Sequence, residues 1–304
     1  MYQTNLTPPK MVTDKRKDAQ WPITMFDSMS EAADAYAALK ATKGRQWQEG
    51  TGGSFVGDKS SEQTMRLLRD GDTSAVSESD KLLSRFEQFL SVKGSKFQIV
   101  DDVAGAVPNV PAYLAGHPLT MRRRQRMASE LAPLTLVVDT CVSAGFSEAH
   151  IRQRGVAILA LVRALALVRP VQLYAGWNFG THKSSKLALG VFARIDTSPM
   201  DLARAAYPLC HPSFLRRFGF EYGGNSHDQF NARSIPWGFG DADLVRRALS
   251  EMMQQILGGE VFAVPGMYAG DNLLNKPVAW IFKYLKEYGG EMFSDLPDPS
   301  TMKD

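Results

Sequence analysis

The chain has 304 residues, 44% of them hydrophobic and 22% charged, with a formal net charge of +3 from 35 basic and 32 acidic side chains. That balance excludes global disorder and a fibrous repeat, and it is too even to indicate nucleic-acid or membrane binding by itself. Two cysteines, Cys141 and Cys210, are too few for a disulfide scaffold and fit a reducing, cytoplasmic compartment, where both read as small apolar fillers.

Residues 1–22 carry Pro8-Pro9 and a mixed-charge run from Asp14 to Asp18, which predicts a flexible arm ending at Trp21-Pro22. Met1 to Lys17 lacks the apolar stretch of a secretory signal. Residues 23–118 are expected to be mainly helical. Ser28 and Ser30 are placed to cap a helix through Ala41, and helical patterns resume over Ser60 to Arg69 and Ser77 to Val92 around an Asp70-Gly71-Asp72 turn. Between them, Trp47, Gly50, Gly52 and Gly53 resemble a phosphate-approaching loop, but no Gly-Lys-Ser/Thr follows, so an exposed turn with one aromatic anchor is the reading.

Lys96 to Val100 predicts a short strand, and Val107 to Pro118, with Pro108, Pro111 and Pro118, a connector that ends the first region. Next comes a basic cluster, Arg122, Arg123, Arg124 and Arg126, which on a helix would spread over more than one face. Leu134 to Val138 is a continuous apolar run ending in Asp139, as expected of a strand buried on both faces in a parallel sheet, with its chemistry at the C-terminal end. A helix follows from Ser147 to Val168. Its apolar part, Gly155 to Val168, is interrupted by Arg163 and too short to span a bilayer, so no membrane insertion is expected. Val171 to Phe179 and Leu187 to Ile195 predict a strand hairpin, Met200 to Leu209 a helix after an Asp196 to Pro199 cap, Ala242 to Leu257 a helix, Glu260 to Pro265 a strand and Pro277 to Tyr288 a last helix.

From Leu134 the order is strand, helix, strand, hairpin strand, helices, strand, helix. In this order residues 119–304 resemble the von Willebrand factor A family. The resemblance implies an α/β fold with a doubly wound, mostly parallel sheet flanked by helices, here truncated and preceded by the helical N-terminal region. The family's first strand ends in Asp-x-Ser-x-Ser, which binds a divalent ion together with a Thr from a second loop and an Asp from a third. The counterparts here are Asp139 and Ser143, with Cys141 where the first Ser would stand, acidic Asp241 in the second loop, and Asp271 in the third. The resemblance thus implies an Mg2+ or Mn2+ site of altered or degenerate character, completed by the anionic side chain of a protein partner. Asp139 and Asp271 as plain helix caps are the structural alternative. The stretch from Val107 to Arg124 is also similar to bacteriophage-encoded proteins, which would place the protein in the host cytoplasm.

Three functions follow. The first is a non-enzymatic interaction module of von Willebrand A type. A second is a nucleic-acid-associated factor using Arg122, Arg123, Arg124 and Arg126, extended by Arg216-Arg217, Arg246-Arg247 and Lys183. The third, a metal-dependent hydrolase or nuclease, finds no zinc spacing among His117, His150, His182, His211 and His227, and Cys210-His211 adjacency alone makes no catalytic pair. A virion or assembly component needs no motif and stays open.

Overall fold

The computed structural model describes residues 10–14, 19–44, 52–90, 97–126, 132–142, 145–180, 188–197, 200–226, 242–267, 272–294, 296 and 298. The N-terminal part runs β1 (Lys10–Asp14), β2 (Ala19–Phe26), α1 (Met29–Lys43), α2 (Ser61–Asp70) and α3 (Val76–Leu90). Then come β3 (Phe97–Asp102), β4 (Val107–Pro108), α4 (Val110–Leu114) and β5 (Met121–Arg126). The remainder is β6 (Leu134–Asp139), α5 (Glu148–Ala166), β7 (Val171–Gly180), β8 (Ala188–Ile195), α6 (Leu202–Cys210), α7 (Phe220–Ser226), α8 (Ala242–Leu257), β9 (Glu260–Val264), α9 (Asn272–Asn275) and α10 (Pro277–Tyr288).

The main sheet has six strands in the order β1-β2-β8-β7-β6-β9. Its β2–β8, β7–β6 and β6–β9 junctions are parallel, and β7–β8 and β1–β2 are antiparallel. Every residue of β6 is buried, because both faces of the sheet are covered. Leu134, Leu136 and Val138 enter the larger core with α5, α6 and α10, while Val137 enters a smaller core under Leu249, Met252 and Met253 of α8. The fold is therefore α/β, with a mostly parallel sheet between helical layers.

Local chemistry explains most element ends. The Ser28 hydroxyl accepts from the Glu31 amide at 3.1 Å and starts α1. Ser60 and Gln63 form a reciprocal capping box on α2, and Ser147 with His150 does the same on α5. Among the described residues, no helix is long and apolar enough to cross a membrane.

Several expectations are corrected. Part of the supposed arm forms β1 and β2, because Ile23 and Phe26 are fully buried apolar residues that extend the main sheet beside β8. β3 does not join that sheet. It pairs with β5 in a separate three-stranded sheet ordered β3-β5-β4, so the proposed boundary at 118/119 falls between two hydrogen-bonded strands. The N-terminal helices do not form a region of their own either: Met29, Tyr36, Leu39 and Leu68 lie in the same core as the β6–β9 layer. The basic cluster Arg122 to Arg126 is a strand, not a helix. Finally, α6 starts two residues later than read, where the Asp201 carboxylate accepts from the Arg204 amide at 3.1 Å.

Residues 214–225, for which no element was read from the sequence, are almost entirely buried. Phe214–Gly219 is a π-helical turn leading into α7. The rings of Phe214 and Phe218 meet Trp177 edge-on at centroid distances of 5.8 and 5.0 Å. Phe218 also reaches Tyr36 of α1 at 5.2 Å, and Tyr222 reaches Phe26 of β2 at 5.8 Å. These buried rings weld the N-terminal elements to the sheet.

Candidate functional site

In open α/β sheets, ligands gather beyond the C-terminal ends of the parallel strands. Among the described residues, that rim is formed by the segments following β6 and β9. Asp139 ends β6 and is 2% exposed. Its Oδ1 accepts from the Cys141 amide at 2.9 Å, folding the chain back on itself. Burial raises the Asp139 carboxyl to about 6, against the lowering effect of the Cys141 amide and of Arg154. The segment is then knitted to both neighbours. The Thr140 amide and hydroxyl both donate to the Gly176 carbonyl, at 2.7 and 2.8 Å, and the Met267 amide donates to the Cys141 carbonyl at 2.7 Å.

Arg154, in the second turn of α5, is 3% exposed, and its Nη2 donates to the carbonyls of Asp139, at 3.1 Å, and Pro265. One guanidinium thus joins the ends of β6 and β9. A narrow cleft opens beside it, lined among others by Thr140, Val142, Arg154, His211 and Met267. His211 follows α6. Its Nδ1 accepts from the Ser213 amide at 3.1 Å and lies 2.9 Å from the Ser213 hydroxyl, which is 3.0 Å from the Tyr207 hydroxyl. Burial lowers the His211 pKa, against the raising effect of Asp72 and Glu148. Gly57 backs onto His211: at φ +66°, and with a Cβ that would sit 2.8 Å from His211 Cε1, a side chain there would be strained and would displace the ring.

Residues 14–285 match the family described as Domain of unknown function (DUF7192). The chain belongs to this family. Neither a curated protein nor a solved structure matches it.

Of the four residues expected to hold a divalent ion in this DUF7192 chain, Ser143, Asp241 and Asp271 lie outside the described residues. Asp139 is described, and its surroundings fit Mg2+ poorly. The carboxylate is buried, and the neighbouring Cys141 offers a soft thiol whose pKa burial raises. The permanent charge of Arg154 already sits on the adjoining carbonyls and opposes a second cation nearby. Among the described residues, no group of three or more His, Cys, Asp or Glu side chains is placed to hold a metal.

Arg122 and Arg123 are exposed on β5 and already face acids on β3: Arg122 lies 3.5 Å from Asp101 and Arg123 lies 2.6 Å from Asp102. Arg124 and Arg126 share that strand, but their side chains, like those of Arg246 and Arg247, lie outside the described residues, as does Lys183. Arg216 and Arg217 are not a surface extension, since they are 3% and 8% exposed. Arg216 donates to the carbonyls of Phe55, at 3.2 Å, and Phe146, at 2.8 Å, and lies over the Phe55 ring. Arg217 donates to Glu221 at 2.7 Å.

Glu221 is fully buried and also accepts from the hydroxyls of Tyr36 and Ser61, the latter at 2.8 Å. This Arg217–Glu221–Tyr36–Ser61 network ties the π-helical turn to α1 and α2. Sequence reading missed it and Arg154, although Phe214, Phe218 and Tyr222 recur every four residues, and Arg217 and Glu221 share that spacing. Cys210 is no nucleophile candidate, because burial pushes its thiol far up. His150 is spent on the α5 cap.

Proposed function

We propose that this protein is a non-enzymatic interaction module of von Willebrand A-like topology, working in the cytoplasm and engaging a protein partner at the rim beyond β6 and β9. The observation that carries the proposal is the order β8-β7-β6-β9, in which β8 runs antiparallel to β7. Strands β2 and β1 complete the sheet on the β8 side. The metal site of such a module is degenerate here. Arg154 holds the ends of β6 and β9 together with its guanidinium and brings a fixed positive charge to the rim.

Two measurements test this reading. The melting temperature is expected to be the same with and without Mg2+ or Mn2+. A metal-induced rise that Asp139→Ala abolishes would restore a working ion site in place of the degenerate one. A photocrosslinking residue at Glu148, exposed in the first turn of α5 beside the rim, is expected to trap one defined protein in cells. Equal adducts from the same probe at Leu167, at the other end of that helix, would defeat the assignment of the rim. The nucleic-acid reading has less support, because the two described arginines of the cluster already face carboxylates.

A further inference from the structure

Residues 97–126 form a unit that the main body does not explain. The sheet β3-β5-β4 and helix α4 contact chiefly one another, and no apolar side chain among the unit's described residues is buried. Ile99, Val103, Val107, Val110, Tyr113 and Leu114 are between 55% and 79% exposed. The described residues expose only one other large hydrophobic side chain to a comparable degree, Leu167 at 45%. A three-stranded sheet needs an apolar face packed against something to be stable, and apolar exposure on this scale marks an interaction surface.

The geometry arranges these side chains. Ile99 pairs with Arg124, Asp101 with Arg122, and Val107 with Arg122, so Ile99, Asp101, Val107 and Arg122 share one face of the small sheet. On α4, Val110, Tyr113 and Leu114 stand at i, i+3 and i+4, which aligns them along one side of the helix. A stable protein–protein interface buries about 800 Å² on each partner, so it would take in both the sheet face and α4.

We infer that this unit is a self-association surface and that its occupant is a second copy of this chain. The charges favour a copy over a nucleic acid or a strongly acidic partner. The exposed face carries one acid beside one base, Asp101 and Arg122, so it is self-complementary in charge: a second copy related by a twofold axis would set each Asp101–Arg122 pair against its counterpart while the apolar side chains meet each other. A nucleic acid would bury Ile99, Val107 and Leu114 against phosphates, with no gain from the carboxylates. The inference stands independently of the rim beyond β6.

Sedimentation equilibrium of the full chain over the micromolar range tests it. The wild type is expected to be a dimer, and Ile99→Asp and Leu114→Asp to weaken association by at least about tenfold. Leu167→Asp, exposed but outside the unit, is expected to dimerise like the wild type. All three should keep the circular dichroism and dilute-solution melting of the wild type, since none of the residues is buried. A wild-type monomer throughout the range would overturn the inference, as would equal dissociation by Leu167→Asp. So would a monomer that shifts only when double-stranded DNA is added, which would assign the face to nucleic acid.

Discussion

The α/β body and the 97–126 unit are both built around β-sheet, yet they treat apolar side chains in opposite ways. In the body, β6 has no exposed residue, and Trp177 is sealed by Phe214 and Phe218. In the unit, Ile99 and Leu114 stand in solvent. The contrast shows what sheet formation requires. Hydrogen bonding sets the ladder in both places, but only a covering layer turns it into a stable core, and among the described residues the unit has no such layer.

The sharpest way to break this contrast is a pair of truncations. Trp177→Ala is expected to destabilise the fold by about 4 kcal/mol, because a large ring leaves a cavity among packed aromatics. Leu114→Ala is expected to stay within about 0.5 kcal/mol under dilute conditions. Urea denaturation of both variants decides it, and similar losses would mean that the unit is part of the core.

Next in size is Glu221→Gln. The substitution keeps the shape but removes the charge that Arg217 faces, and it weakens the acceptor for Tyr36 and Ser61. A loss of about 3 kcal/mol is expected, in line with breaking a buried ion pair. If the variant unfolds at the wild-type urea midpoint, the network is not what joins α1 and α2 to the π-helical turn.

The smallest effect separates the rim from the rest of the core. Asp139 titrates near 6 when folded, above its ordinary 3.8, so between those values the folded state holds a proton that the unfolded state has lost. Stability attributable to this group therefore falls as pH rises from about 4 to about 6 and is level above that, by up to about 3 kcal/mol in all. Asp139→Asn cannot titrate, so its stability relative to the wild type is expected to climb across the same window. A difference that stays flat would show that the carboxylate is not desolvated.

Particular residues show why some of this was legible in the sequence. The run Leu134 to Val138 has no polar alternation, and a strand that reads so must be covered twice, as β6 is. The cap at Ser28 and the helix starts at Ser60 and Ser147 depend on bonds within three residues, so they were legible locally. The same locality explains the errors. Ala19–Phe26 contains a proline and lies beside a polar stretch, and its pairing with β1 and with β8, the latter more than 160 residues away, makes it a strand. Arg122 to Arg126 has no apolar periodicity at all, and its strand character comes from pairing with β3.

The sequence alone determined the β6-to-α10 order of elements, the capped helix starts and the burial of β6, because each rests on periodicity or on bonds between near neighbours. Tertiary structure decided which strands complete the sheet, that Arg216, Arg217 and Glu221 are interior, and that Arg154 bridges the ends of β6 and β9. It also left Ile99 and Leu114 uncovered. Burial and pairing of that kind depend on segments far apart in the chain, and no local pattern encodes which distant surface will arrive to cover a side chain or to pair its charge.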